Sequence, residues 1–259
     1  MSAGEPIVQP VSLLQILADE VRWQIVVILA RGDHRVQELV ERLGKPVNLV
    51  SYHLAKLRKT RLVRERRSDA DARDVYYSLD LDRLRQLYFA AGDALHPSLG
   101  SRENEVPIEA LGSGPRAKVL FLCTENSARS QMAEGILRHF GRGQIEVASA
   151  GSRPTRVHPL AVKVLAEQGI DIGSHRSKSL EEFRGERFDY IVTVCDRVRE
   201  ECPSFPGDPE RIHWSFADPA AVEGGEERGY LAFQVTANEL MTMIRYLLIM
   251  IERQQSEAA

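Results

Sequence analysis

At 259 residues, with a formal net charge of −3 and 43% hydrophobic residues, the chain is long enough for two cores and is not a globally basic protein. No apolar run reaches the length of a membrane span, and Met1 to Pro10 carries Glu5 and lacks the apolar core of a signal peptide. Three cysteines do not make the even-numbered framework of a secreted domain, so a reducing cytoplasm is the expected location.

Helical periodicity opens at Leu13 to Leu17 and resumes from Val21 to Ala30, where Arg31-Gly32-Asp33 supplies a stop. A third helix, Val36 to Leu43, is expected to end at Gly44, and Lys45-Pro46 makes a turn. Asn48 is a candidate N-cap for a fourth helix reaching about Lys59. Val50, Leu54 and Leu57 then face the core and leave Asn48, Ser51, Tyr52 and Lys56 outside. Strand candidates Leu62 to Arg67 and Val75 to Leu79 follow, joined by a tip rich in Asp, Ala and Arg. The order is helix-turn-helix followed by a wing.

Lys56, Arg58, Lys59, Arg61, Arg64, Arg66 and Arg67 crowd one stretch, with Glu65 as the sole acid inside it. Such a cluster is either a solvated face or a phosphate-binding surface, and its place at the end of a recognition helix and the start of a wing favours double-stranded DNA. Tyr52 and Lys56, with Asn48 and Ser51, are expected to face the groove, and Arg66, Arg67 and Arg73 to approach phosphates or the minor groove from the wing. The order Ser51-x-His53-Leu54-x-x-Leu57, then Leu62-Val63 and Tyr76-Tyr77, resembles the ArsR/SmtB winged-helix repressors. The resemblance implies a homodimer, helped by the segment Leu81 to Leu95 with Leu84, Leu87, Tyr88 and Ala91 at helical spacing. It also exposes a departure: no cysteine precedes residue 123, so this unit has no thiol with which to sense arsenite by itself.

Residues 96–116, with Pro97, Gly100, Pro107, Gly112, Gly114 and Pro115, read as a linker between a unit of residues 1–95 and one of residues 117–255. Beyond it come β Lys118–Leu122, α Gln131–His139, β Ile145–Ala150, α Pro159–Gln168, a short helix near Leu180–Arg184, β Phe188–Val194, β Arg211–Trp214 and a long helix ending near Arg253. That alternation predicts an α/β parallel sheet covered on both faces, a three-layer arrangement. Between the first strand and its helix runs Cys123-Thr124-Glu125-Asn126-Ser127-Ala128-Arg129-Ser130. A thiolate needs positive potential, which a helix N-terminus, converging backbone N–H groups and a guanidinium provide. Loop residues 124–128 can wrap a tetrahedral oxyanion, Arg129 can grip two of its oxygens, and Ser130 can donate to the sulfur. Glu125 is expected to face solvent, because a carboxylate turned inward would repel an anion. Asn126 is expected to shape the loop through hydrogen bonds to backbone.

The segment Val119 to Glu134 resembles the active-site loop of the low-molecular-weight tyrosine phosphatase superfamily, specifically its thioredoxin-coupled arsenate reductase branch. The likeness continues through Ser149-Ala150-Gly151, His158-Pro159 to Asp171, Ser174 to Lys178, and His213 to Ala220. It implies that Cys123 attacks arsenate while Asp218 acts as general acid. Cys195 then attacks Cys123 and releases arsenite, and Cys202 takes over the disulfide for an external thioredoxin-like dithiol to reduce. The polar segment Asp196 to Glu201 must move in such a relay, and its charges suggest a weakly packed loop. Some family members hold a monovalent cation behind the loop; here Lys178 stands where an acidic ligand would be expected, so an ammonium opposite Glu134 and no bound metal or cofactor are predicted. Two other functions stay open: a phosphatase needing only Cys123, Arg129 and Asp218, and a regulator using this unit as an oxyanion or redox sensor. The cysteine pair could also be buried small hydrophobes or, less in keeping with its spacing, a zinc pair.

Overall fold

The computed structural model describes residues 10–96, 117–201 and 203–258. The chain divides into two compact units, Met1–Ala110 and Leu111–Ala259. Most of the expected linker, residues 97–116, and Cys202 lie outside the described residues.

The first unit contains α1 (Pro10–Leu17), α2 (Glu20–Leu29), β1 (His34–Arg35), α3 (Val36–Leu43), α4 (Val47–Lys59), β2 (Val63–Arg67), β3 (Val75–Leu79) and α5 (Leu81–Leu95). Its antiparallel sheet has the order β1-β3-β2, and β2 and β3 are the expected wing strands. The short β1, pairing His34 with Tyr77, was not legible in the sequence because two residues show no periodicity. Leu13, Ile25, Leu29, Leu39, Val50, Leu54, Leu57 and Leu62 fill the core. α4 ends where Arg61 takes a left-handed φ of 58° and lets the Leu62 N–H reach back to Leu57 O.

One expectation needs correction. Pro46, with φ −60°, stands at the N-cap of α4, and the Asn48 side chain accepts from the next residue's N–H at 3.0 Å inside the first turn. Proline pre-sets the backbone for helix initiation, so the helix starts one residue ahead of Asn48.

The second unit contains β4 (Ala117–Cys123), α6 (Arg129–Gly141), β5 (Ile145–Gly151), α7 (Pro159–Glu167), β6 (Tyr190–Thr193), α8 (Asp196–Glu201), β7 (Glu210–His213) and α9 (Glu226–Ala258), with 3₁₀ turns at Leu180–Phe183 and Pro219–Ala221. The strands are parallel in the order β5-β4-β6-β7. β4 is buried on consecutive residues from Val119 to Cys123, so both faces of the sheet are covered, as expected for a three-layer α/β unit. Helices α6, α7 and α9 pack on one another, and α8 packs against β4 and β6.

That strand order brings two chemical ends together. Leu122 of β4 registers with Thr193 of β6, and the Val194 N–H continues the ladder to Leu122 O at 2.8 Å. Cys123 and Cys195 therefore emerge at the same carboxyl edge, where ligands of parallel α/β sheets bind. The expected loose loop after Cys195 is instead helix α8, and its first residue, Asp196, is buried. Local charge suggested a solvated loop; a tertiary hydrogen-bond network overrides it.

Candidate active site

The cradle begins where β4 ends and closes at the N-terminus of α6, which starts at Arg129, two residues earlier than expected. Four outside donors hold its carbonyls. Arg153 N donates to Thr124 O (2.8 Å), Thr155 N to Glu125 O (3.0 Å), Ser177 Oγ to Asn126 O (2.7 Å) and His158 N to Ser127 O (2.8 Å). With its carbonyls tied to this outer segment, the loop leaves its N–H groups free to converge on an anion, a nest that the α6 N-terminus completes. The Asn126 N–H already points at Cys123 Sγ, at 3.1 Å.

Asn126 adopts φ 48°, a region asparagine tolerates better than most residues. Its side chain is wholly engaged: Nδ2 donates to Ser130 Oγ (2.9 Å) and Ser149 Oγ (2.8 Å), while Oδ1 accepts from Gln131 Nε2 (2.8 Å) and Lys178 N (2.7 Å). The expected shaping role is present, though most partners are side chains. Ser149 passes the network to Glu134 (2.6 Å), which meets Lys178 Nζ at 2.9 Å and Arg138 at 2.6 Å. The ammonium thus sits opposite Glu134 as expected, and Glu125 is exposed. Gly151 lies against the back of the loop; a Cβ there would come 2.7 Å from Thr124 O and 2.8 Å from Asn126 N.

Cys123 is buried, and Ser130 Oγ lies 2.8 Å from its sulfur. Burial pushes the Cys123 thiol above its ordinary range and nearby Cys195 adds to this, whereas Ser130 and Arg129 pull it down. The sequence expectation of a thiolate near neutral pH thus meets a counterforce that only burial reveals. Arg129 is held in place from outside the loop, with Nη1 donating to Phe216 O (2.9 Å) and Nη2 paired with Asp218 at 3.1 Å. Cys123, Arg129, Ser130 and Asp218 therefore share one site. Asp218 also accepts from Ala220 N at 3.1 Å, so its turn role and its place beside Arg129 coexist.

Cys195 is buried at the rim, its Sγ 3.4 Å from Thr124 Oγ1. Two features escaped the sequence reading. His158 caps α7, stacks on Phe233 at 4.6 Å, and is pushed toward its neutral form by burial despite the nearby Asp218 charge. Buried Asp196 and His213, with half-buried Ser215, form a polar cluster beside Cys195; the Asp after Cys195 was the only hint, and polar sequence context disguised it.

In the first unit, Asn48, Ser51 and Tyr52 are exposed, and Lys56 Nζ lies 4.5 Å from the Tyr52 ring centroid. The wing arginines are engaged by local acceptors: Arg66 with Asp69 (3.0 Å), Arg73 with Asp71 (2.6 Å) and Arg67 with Ala72 O (3.3 Å). Counting Glu65 alone thus understated the acids that reach this basic cluster. Among the described residues, no group of three or more His, Cys, Asp or Glu side chains could hold a metal ion, and no helix is long and apolar enough to cross a membrane.

The chain is 39% identical over 127 residues to an arsenate reductase of Halalkalibacterium halodurans, a match spanning 49% of this chain and 91% of that protein. It is 38% identical over 122 residues to an arsenate reductase of Bacillus subtilis, spanning 47% and 88%. A solved arsenate reductase in oxidized state shares 29% identity, covers 52% of this chain and 98% of its own, and superposes with a TM-score of 0.46. Residues 19–65 match the model of the bacterial regulatory protein, arsR family. Residues 118–257 match that of the low molecular weight phosphotyrosine protein phosphatase, and the chain belongs to that family.

Proposed function

We propose that this chain is a thioredoxin-coupled arsenate reductase fused to a DNA-binding regulator of arsenic resistance, with residues 1–95 as the DNA module, residues 96–116 as linker and residues 117–255 as the enzyme. The observation that carries the reductase reading is Cys195, buried at the rim with its sulfur 3.4 Å from the Thr124 hydroxyl. A phosphatase has no use for a second thiol there. The names of the relatives support the same reading.

Arsenate enters the N–H nest and competes with Asp218 for the Arg129 guanidinium, which loosens the carboxyl group from its partner. Cys123 attacks arsenic, and Asp218 protonates the departing oxygen. Cys195 attacks Cys123 Sγ, the arsenic–sulfur electron pair leaves with arsenite, and a Cys123–Cys195 disulfide forms. Cys202 displaces Cys123 from Cys195, and an external thioredoxin-like dithiol reduces the resulting Cys195–Cys202 disulfide. No resident cofactor enters any step. The regulator half acts as a homodimer on double-stranded DNA in the cytoplasm, with Tyr52 and Lys56 at base edges, Asn48 and Ser51 beside them, and Arg66, Arg67 and Arg73 exchanging wing carboxylates for phosphates.

Arsenite release by the purified chain with thioredoxin, thioredoxin reductase and a nicotinamide donor tests the enzyme. Cys123→Ser abolishes turnover, and Cys202→Ser stops after one turnover with Cys123 bonded to Cys195. Sustained recycling by Cys195→Ser refutes the relay. Undiminished aryl phosphate hydrolysis in both relay variants, without arsenite release by the parent, identifies a phosphatase instead. Salt-sensitive binding of residues 1–95 to duplex from the protein's own promoter tests the regulator, and its absence refutes that half.

A further inference from the structure

Three of the four donors that hold the cradle's carbonyls, the N–H groups of Arg153, Thr155 and His158, come from one stretch between β5 and α7. Residues 152–158 form neither helix nor strand there, and Arg153 to Arg156 are exposed. The stretch is therefore fixed to the body of the unit at its ends. Gly151 closes β5 at one end; at the other, half-buried Val157 packs on the core and His158 opens α7.

His158 meets three elements at once. Its backbone N–H donates to Ser127 O at 2.8 Å, its Nδ1 accepts from Leu160 N at 3.2 Å, and its ring stacks on Phe233 of α9 with 4.6 Å between centroids. Pro159 has no N–H, and Ala161 N reaches His158 O at 3.0 Å, so Leu160 carries the first-turn N–H that the side chain caps. Phe233 is fully buried, which makes it a fixed wall for the imidazole.

We infer that His158 is a positioning residue for the oxyanion cradle: the lone pair on Nδ1 and the stack on Phe233 fix the peptide whose N–H holds Ser127 O. This rests on the anion-cradle reading of the Cys123 loop and not on the thiol relay. A ring that accepts through Nδ1 carries its proton on Nε2. An imidazolium would turn an N–H toward the Leu160 N–H and set a positive charge at the positive end of α7, so only the neutral ring can cap. Burial keeps the ring neutral; of the charges around it, Asp218 works against this and Arg156 with it. Once the cap is lost, the His158 peptide can turn away from Ser127 O. The neighbouring loop N–H groups then no longer converge on one anion.

The test uses the reduced full chain near neutral pH, with inorganic phosphate binding measured by calorimetry. Asparagine places an amide oxygen about where Nδ1 stands, and glutamine places its amide about where Nε2 stands. His158→Ala is expected to weaken phosphate binding about tenfold, the equilibrium equivalent of one lost N-cap. His158→Asn should return to within about threefold of the parent, and His158→Gln should stay with the alanine variant. Ring-nitrogen NMR of the parent, assigned by the signal missing from His158→Asn, should show the neutral Nε2–H tautomer. Recovery by glutamine, no recovery by asparagine, or an Nδ1–H or doubly protonated ring overturns the proposal. So does an affinity in His158→Ala within about twofold of the parent. If the alanine variant does not fold, the asparagine and glutamine variants carry the comparison. Failure of the parent itself to bind phosphate overturns the cradle reading, and this proposal with it.

Discussion

Gly151→Ala probes the cradle at its least forgiving point. A Cβ at residue 151 would lie 2.7 Å from Thr124 O, 2.8 Å from Asn126 N and 3.0 Å from Glu125 C, all of them backbone atoms. None can rotate away as a side chain does, so the loop must withdraw by roughly half an ångström or more to reach ordinary packing distance. Overpacking of this kind costs about 1–3 kcal/mol, and for a domain of this size each kcal/mol lowers Tm by about 2–4 °C. The functional loss is larger, because the displaced atoms are the N–H groups and the thiol that must meet the anion. A misplacement approaching 1 Å lowers the rate by about 10²-fold. Thermal unfolding and aryl phosphate hydrolysis, the simplest assay of Cys123 reactivity, should both be measured on the same preparation. A kcat/KM within about threefold of the parent would show that the loop does not depend on this close approach.

Three further outcomes are expected. Ser130→Ala removes a group that pulls the buried Cys123 thiol down, so its pKa rises further and the pH midpoint for iodoacetamide alkylation moves upward; a lower or unmoved midpoint contradicts the assignment. Lys178→Ala leaves the Glu134 carboxylate, 4% exposed, paired with Arg138 but without its ammonium, and denaturant unfolding should show a loss of about 3 kcal/mol, near the lower end for a broken buried pair. Added potassium should recover part of that loss, and a change below about 1 kcal/mol would mean the ammonium is dispensable. Arg61→Gly relieves a left-handed residue at the end of α4 and should stabilise the first unit by about 0.5–1 kcal/mol, while reducing the salt slope of DNA binding if that guanidinium meets a phosphate; destabilisation would show that the arginine side chain holds the turn.

Much of this protein was written locally. Cys123 and Arg129 with five residues between them, an apolar strand before and a helix after, are enough to specify an anion cradle, because loop amides and a helix N-terminus act over short range. The apolar spacing of Val50, Leu54 and Leu57 likewise fixed which face of α4 turns outward, since helical periodicity is a local property. Tertiary structure alone decided the rest. Strand order brought Cys195 beside Thr124 across 71 positions of chain, and no local pattern encodes which parallel strands become neighbours. The polar run after Cys195 read as a mobile loop, yet its first carboxylate is buried because His213 and Ser215 come from another segment to receive it. Pairing of the wing arginines with Asp69 and Asp71 was equally hidden, since it depends on how the wing tip folds back. Hydrophobic period and turn chemistry are written along the chain, whereas the satisfaction of a buried charge is decided only when distant segments meet.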